Sequence, residues 1–319
     1  MDGDKKKISI FLANPRGFCA GVERAIKIVE RSLEVFNAPV YVLHEIVHNK
    51  YVVKDLQSRG AIFVESLESI PKEYPVIISA HGTSQMVMDD VKGRNVIYVD
   101  ATCPLVTKVH MEVKNHYRKG RKILMIGHKG HVEVAGTMGQ VPDGVVTLIE
   151  TVEDARKIHL DEYQSGIAYV TQTTLSIDDT SEIIQVLKER FPDIVESKTD
   201  DICYATSNRQ QAVKEIASSV DILYVIGSPN SSNSNRLVEV GKQYGCDKVF
   251  LIDSELDIDM SMVDDDDVSD IGITAGASAP EILVQKVLDV FKAKYHTLFF
   301  DISSHVKEEM SFSLPTLLR

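Results

Sequence analysis

The sequence predicts an α/β protein: three repeated α/β domains with mostly parallel sheets, set in a pseudo-threefold trefoil around a central cavity. Three observations lead there. Short β-branched runs alternate with amphipathic stretches, as strands and crossover helices do in parallel sheets. The stretches that follow Cys19, Cys103 and Cys203 repeat one another in pattern. In each repeat the cysteine and the polar loops fall at carboxyl ends of strands, where open parallel sheets bind ligands.

In chain order, Ile8 to Ala13, Val40 to Leu43, Ala61 to Glu65 and Val76 to Ala80 are near-continuous apolar runs, as strands buried on both faces should be. Between the first two, Val22, Ile26, Val29, Leu33 and Phe36 mark one stripe of a helix. Asp179-x-x-Glu182 and Ser278-x-x-Glu281 have the form of capping boxes. Each of the three cysteines follows a strand-like run (ISIFLAN, NVIYVD, DIVES) and opens a helical stretch. From Cys19 to His44, from Cys103 to His128 and from Cys203 to Ser228 the distance is 25 residues each time, and each endpoint closes a strand. A third strand then ends at an acid (AIFVES, VTLIET, VFLIDS), and a fourth runs into a polar loop (SAHGTS, VTQTTLS, TAGASAP). The domains expected are residues 1–98, 99–197 and 198–319, the last with a C-terminal tail.

Composition narrows the partners. The 319 residues carry 35 Lys and Arg against 47 Asp and Glu, a formal charge of −12. General nucleic-acid or anionic-membrane binding needs a basic surface, so neither is expected. No apolar leader follows MDGDKKK, and no run approaches a membrane span. Four scattered cysteines do not make a disulfide framework; reduced thiols and a cytoplasmic enzyme are the expectation.

Three equivalent cysteines that meet could hold zinc, which with three sulfurs normally adds a histidine and closes the site. They could instead hold an iron–sulfur cluster, leaving one iron without a thiolate and open to substrate. Each lies near a helix start, which favours the thiolate. Cys246 has no counterpart and reads as packing. Five of the ten histidines (His44, His48, His81, His128, His131) fall in the same loops, and His131 lies two residues from Glu133. The third repeat offers Ser231, Ser232 and Asn233 instead, with Ser278 at a helix N-cap. Imidazoles, hydroxyls and helix N-termini suit a diphosphate where lysines are few. His110, His116 and His159 read as surface or satisfied residues. His44-Glu45-Ile46-Val47-His48 has the zinc-protease spacing, but that motif works only on a helix and this one follows a strand. Asp264 to Asp267 reads as a solvated run, and no phosphate-binding glycine loop is present.

NPRGFCAGVERAI, VHNKYVV, SAHGTSQ, DATCPLVTKVH, GHKGHVEVAGTMGQ, TQTTLS, DDICYATSNRQ, GSPNSSNSNRL and TAGASAPEILVQ together resemble the LytB/IspH family of 4-hydroxy-3-methylbut-2-enyl diphosphate reductases, from about Ile8 to Gln285. The resemblance implies a trefoil around one [4Fe–4S] cluster per chain, held by Cys19, Cys103 and Cys203 with one open iron. It implies two-electron reductive dehydroxylation of (E)-4-hydroxy-3-methylbut-2-enyl diphosphate to isopentenyl and dimethylallyl diphosphate, the last step of the methylerythritol phosphate route to isoprenoids. Glu133 would protonate the departing hydroxyl, Thr173 would orient it, and His131 would share the proton path and bind diphosphate. His48, His81, Ser231, Asn233 and Ser278 would hold diphosphate oxygens, with Ser232 and Thr206 close by. An external one-electron donor, ferredoxin or flavodoxin with its reductase, is implied, since no flavin or nicotinamide site is visible. The tail DISSHVKEEMSFSLPTLLR does not match the family pattern securely. Two other readings stand beside this one: a quinolinate-synthase-like three-cysteine [4Fe–4S] enzyme, and a zinc-stabilised binding module without catalysis.

Overall fold

The computed structural model of the chain describes residues 5–159, 166–197, 200–303 and 306–319. The first four residues, the Lys198 start of the third expected domain, and residues 304 and 305 of the tail lie outside them. Twelve strands occur among the described residues: β1 (Lys7–Asn14), β2 (Val40–Leu43), β3 (Ala61–Val64), β4 (Val76–Ile78), β5 (Tyr98–Asp100), β6 (Lys122–Ile126), β7 (Val146–Ile149), β8 (Ile167–Thr171), β9 (Ile222–Ile226), β10 (Lys248–Ile252), β11 (Asp270–Ala275) and β12 (His296–Ser303). They form three sheets, ordered β3-β2-β4-β5, β7-β6-β8 and β10-β9-β11-β1-β12, and their pairings are parallel. Each sheet contains the same three-strand unit, with the strand that closes 25 residues after a cysteine in the centre (β3-β2-β4, β7-β6-β8, β10-β9-β11). The α/β class with parallel sheets and its internal repeat are thus present in the backbone.

The strand leading into each cysteine behaves differently from its place in the sequence. β5, ahead of Cys103, pairs with β4; β1, ahead of Cys19, pairs with β11 and β12 at the far end of the chain. The segment 1–98 therefore does not close on itself, because its first strand completes the sheet built from residues 222–303. The DIVES run ahead of Cys203 is no strand: only Val195 forms a bridge, to Ala168 of β8. A turn at Pro192 and Asp193 takes up the start of the run, and what is left is too short to extend the ladder.

The chain divides into two compact units. One comprises Met1–Cys19, His48–Val52 and Tyr204–Met310. Its five-stranded sheet is covered on both faces. Ile8, Ile10, Ile222, Tyr224, Ile271 and Ile273 pack with Val284, Val287 and Phe291 of the helix Glu281–Lys294. On the opposite face Ala13, Leu223 and Val225 meet Val213 and Ile216 of the helix Tyr204–Ala217 and Leu237 of the helix Ser232–Gln243. The period-two alternation along β1 and β9 sends neighbouring residues to opposite cores. Cys246 is buried in the second of these, as packing, with its thiol directed to the Lys248 carbonyl.

The other unit comprises Ala20–Val47, Val53–Cys203 and Ser311–Arg319, with the two remaining sheets. β6 and β8 send Leu124, Ile126 and Tyr169 to one core and Ile123, Met125 and Val170 to the other. The helix Ala20–Phe36 begins at the residue after Cys19, but its buried stripe runs through Gly21, Ala25, Ile28, Val29 and Ser32. Of the predicted stripe Val29 is buried, and Val22, Ile26, Leu33 and Phe36 are half-buried. Both predicted caps also move. Ser176 is the N-cap of Ile177–Arg190, accepting the Asp179 N–H, so Asp179 is the third helical residue. Pro280 caps Glu281–Lys294, which frees the Ser278 hydroxyl for another bond. Among the described residues no helix is long and apolar enough to cross a membrane.

Candidate active site

Each cysteine is half-buried, forms no disulfide and lies directly before a helix. The amide of each is held in the same way. Cys103 N–H donates to Ala80 O at 2.9 Å, Cys203 N–H to Thr173 O at 3.0 Å, and Cys19 N–H to Ala277 O at 3.2 Å. Every acceptor lies two residues beyond the fourth strand of a repeat: β4, β8 and β11. Each is also at, or next to, a residue singled out from the sequence: His81, Thr173 and Ser278. This equivalence is stronger than equal spacing, since the same hydrogen bond recurs three times. Among the described residues no three His, Cys, Asp or Glu side chains are gathered as they would be around a single metal ion.

In the second unit the structure joins Glu133, Thr173, His131 and His81. Glu133 is only 3% exposed. Its Oε1 accepts the Thr173 backbone N–H at 2.7 Å and its Oε2 accepts the Thr173 hydroxyl at 2.8 Å. Both bonds favour the carboxylate, yet burial outweighs them and, helped by the charge of Asp201, pushes the carboxyl up to about 7. His131 caps the helix Val132–Met138: its Nδ1 accepts the Glu133 N–H at 3.2 Å, which leaves Nε2 to carry the ring proton. The His81 ring stands edge-on to His131, with centroids 6.1 Å apart. A protonated carboxyl, two imidazoles and a hydroxyl thus share one locality.

His110 corrects the sequence reading. It is buried beneath the turn that carries His81, and its Nε2 has no hydrogen-bond partner in the structure. Burial and Lys114 lower its pKa to about 4, so the ring is neutral. Gly82, at φ +75°, closes the turn; a Cβ there would come within 2.7 Å of the His110 ring. His116 is buried against Arg121, as a satisfied residue, and His159 is exposed.

The first unit gathers the hydroxyl and amide groups. Ser231 caps the twelve-residue helix Ser232–Gln243, accepting the Ser234 N–H, and the Ser234 hydroxyl donates to Ser231 Oγ at 3.0 Å. The Ser278 hydroxyl donates to the His48 carbonyl at 2.8 Å and lies 3.5 Å from Ser231 Oγ. Asn233 Oδ1 accepts the Ala277 N–H at 2.8 Å while its Nδ2 faces Thr206 Oγ1 at 3.4 Å. The His48 ring meets Asn230 at 3.4 Å, and Ser232 starts the helix. His44-to-His48 is not helical, as its position after β2 requires. Sequence reasoning missed Ser234, fully buried between Gly227 and Gly276, either of which would collide with its hydroxyl if given a Cβ. The signal was available in the two glycines that follow β9 and β11 directly.

Residues 10–292 match the family model described as LytB protein. The chain belongs to the LytB protein family. It is 52% identical over 312 residues to a 4-hydroxy-3-methylbut-2-enyl diphosphate reductase of Cereibacter sphaeroides, covering 98% of this chain and 97% of that protein. A protein of the same name from Brucella anthropi is 52% identical over 299 residues, 93% of this chain and 85% of its own. Among solved structures, the E-1-hydroxy-2-methyl-but-2-enyl-4-diphosphate reductase of Plasmodium falciparum superposes with a TM-score of 0.92 at 38% identity, over 98% of this chain and 97% of that one. A second, described as the terminal enzyme of the non-mevalonate pathway, gives 0.63 at 30% identity, over 90% and 99%.

Proposed function

We propose that this chain is an iron–sulfur oxidoreductase that reduces (E)-4-hydroxy-3-methylbut-2-enyl diphosphate. The substrate takes up two electrons and two protons, its C–O bond breaks, and water leaves as isopentenyl or dimethylallyl diphosphate forms. The observation that carries the reading is Glu133: a buried carboxyl, held through both oxygens by Thr173 and titrating at about 7, in a chain 52% identical to relatives named as reductases of this substrate. A primary hydroxide is a poor leaving group, so its oxygen needs a proton donor poised near the working pH.

The donor set suits a [4Fe–4S] cluster, one per chain. Cys19, Cys103 and Cys203 are half-buried thiols outside any disulfide with the same amide anchor, and the fourth cysteine is buried in a hydrophobic core, so one iron would lack a thiolate. When bound, such a cluster supplies single electrons and a Lewis-acidic iron. The chain's own residues do the rest. Glu133 gives its proton to the hydroxyl oxygen, and Thr173 fixes the carboxyl while its own hydroxyl orients the substrate's. His131, with its proton on Nε2, is suited to donate to the diphosphate and to pass a proton to Glu133's neighbourhood. His48, His81, Ser231, Ser232, Asn233, Ser278 and Thr206 complete the diphosphate contacts with neutral donors, and the diphosphate thereby positions the remote hydroxyl. Three α/β domains, a cytoplasmic setting and a ferredoxin or flavodoxin donor with its reductase belong to the same proposal.

Anaerobic purification with iron, sulfide and zinc analysis, followed by turnover with the hydroxybutenyl diphosphate and a low-potential reductant, tests it. Iron and sulfide in equal amounts with formation of both products is expected. Zinc in place of iron, or no product from a loaded chain, would refute it.

A further inference from the structure

The helix after each cysteine carries a cation five or six residues on: Arg24 after Cys19, Lys108 after Cys103 and Arg209 after Cys203. Each of these cations binds the backbone just ahead of the next cysteine in the cycle. Arg24 Nη1 donates to the carbonyls of Ala101 and Thr102 at 3.3 and 3.1 Å, and Nη2 to Asp100 O at 3.5 Å, the three residues before Cys103. Lys108 Nζ donates to Asp200 O at 2.9 Å and to the Asp201 carboxylate at 3.2 Å, ahead of Cys203. Arg209 donates to Gly17 O at 2.7 and 3.0 Å and to Phe18 O at 3.3 Å, ahead of Cys19. Arg209 is wholly buried, and Arg24 and Lys108 are half-buried.

We propose that Arg24, Lys108 and Arg209 are three equivalent positioning residues, each clasping the arm of the next cysteine and setting a cation beside it. The inference deepens the cluster reading and rests on it for its redox consequence. The geometry is two-sided. The amide of each cysteine is pinned to a loop carbonyl, and the carbonyls ahead of it are gripped by a cation, so the Sγ-bearing residue has little freedom to swing. Burying a cation is costly unless it finds acceptors; the clasp's carbonyls provide them, joined by the Asp201 carboxylate for Lys108 and the Glu308 carboxylate, at 2.9 Å, for Arg209. Burial lowers the Arg24 pKa while Asp100 and Cys103 raise it, so Arg24 lies within electrostatic reach of the thiolate. In the loaded chain a fixed cation close to the cluster favours its more negative, reduced state.

The test compares Arg24→Met and Lys108→Met with Arg24→Lys and Lys108→Arg. Lys108 reaches solvent, so its variant keeps the question open to measurement if Arg24→Met fails to fold, which circular dichroism reports. In the empty full-length chain, amide hydrogen exchange read by mass spectrometry should speed up at residues 101–103 in Arg24→Met and at residues 201–203 in Lys108→Met, by about threefold or more, as the arm is released. In the loaded chain the reduced-to-oxidised ratio at a fixed potential should drop about tenfold, about 59 mV for one electron. The conservative variants should restore both. Wild-type exchange rates, or a wild-type potential, in the folded methionine variants would overturn the inference. If the unaltered chain takes up no iron, the cluster reading fails, and hydrogen exchange alone decides the clasps.

Discussion

Replacing Glu133 by glutamine removes one titrating proton while keeping shape and most hydrogen bonding. The Glu133 carboxyl goes from an ordinary 4.5 in the unfolded chain to about 7 when folded, chiefly through burial. Its sign is that of a raised acid. Below 4.5 both states are protonated and the folded chain has the full benefit; between the two values only the folded chain holds the proton, and the benefit disappears as pH rises through 7. Linkage applied to these two values gives a loss of about 2.5 kcal/mol of stability between pH 5 and pH 8. Glu133→Gln cannot lose a proton, so its stability relative to the unaltered chain should rise by about that amount across the interval. Urea unfolding of both metal-free chains at pH 5, 6, 7 and 8 measures the difference. In the loaded enzyme, turnover should decline about tenfold per pH unit above 7, and the variant should lose about 10²–10⁴-fold below pH 7 while showing no such decline of its own above it. Parallel stability curves, or a variant with unchanged turnover, would show that Glu133 is neither raised nor the proton donor.

Thr173→Val removes the hydroxyl that Oε2 accepts. It should raise the Glu133 pKa further, displace the alkaline limb of the pH–rate profile upward, and cost about 1–3 kcal/mol in thermal unfolding. Cys103→Ser should strip the chain of most of its iron, as elemental analysis reports, because serine lacks the soft thiolate donor. Gly276→Ala drives a methyl group into the buried Ser234 hydroxyl; a loss of about 1–3 kcal/mol and a raised KM for the diphosphate are expected from calorimetry and kinetics. Asn233→Ala leaves the Ala277 N–H without its acceptor, and should raise KM while iron content stays at the wild-type level.

Much of the repeat was legible because it is written twice, once in apolar runs and once in polar punctuation. The acids after β3, β7 and β10, and the loops after β4, β8 and β11, follow their strands where the sequence places them. What escaped was long-range pairing. Nothing local in KISIFLAN says that β1 belongs between β11 and β12, since any parallel slot would bury those isoleucines equally well. Helix caps failed for a related reason: Asp179 and Ser278 have the right chemistry, but Ser176 and Pro280 begin the helices, and tertiary bonds reassign Ser278. Burial of Glu133 was invisible as well, because desolvation depends on what packs around a residue and not on its neighbours in the chain. The cations after the cysteines were in plain sight, at nearly constant spacing, but only their carbonyl partners reveal what they hold.

Placement of β1 has a consequence for how the chain is made. Lys7 sits opposite His296 and Ile10 opposite Phe299, so a strand is seated between partners translated more than 250 residues after it. Throughout synthesis an apolar ribbon with unsatisfied edges waits for neighbours not yet translated, the kind of segment that associates with other nascent chains or engages chaperones. Ribosomes stalled before residue 270 should therefore carry β1 open to protease, and emergence of β11 and β12 should protect it in a single late step.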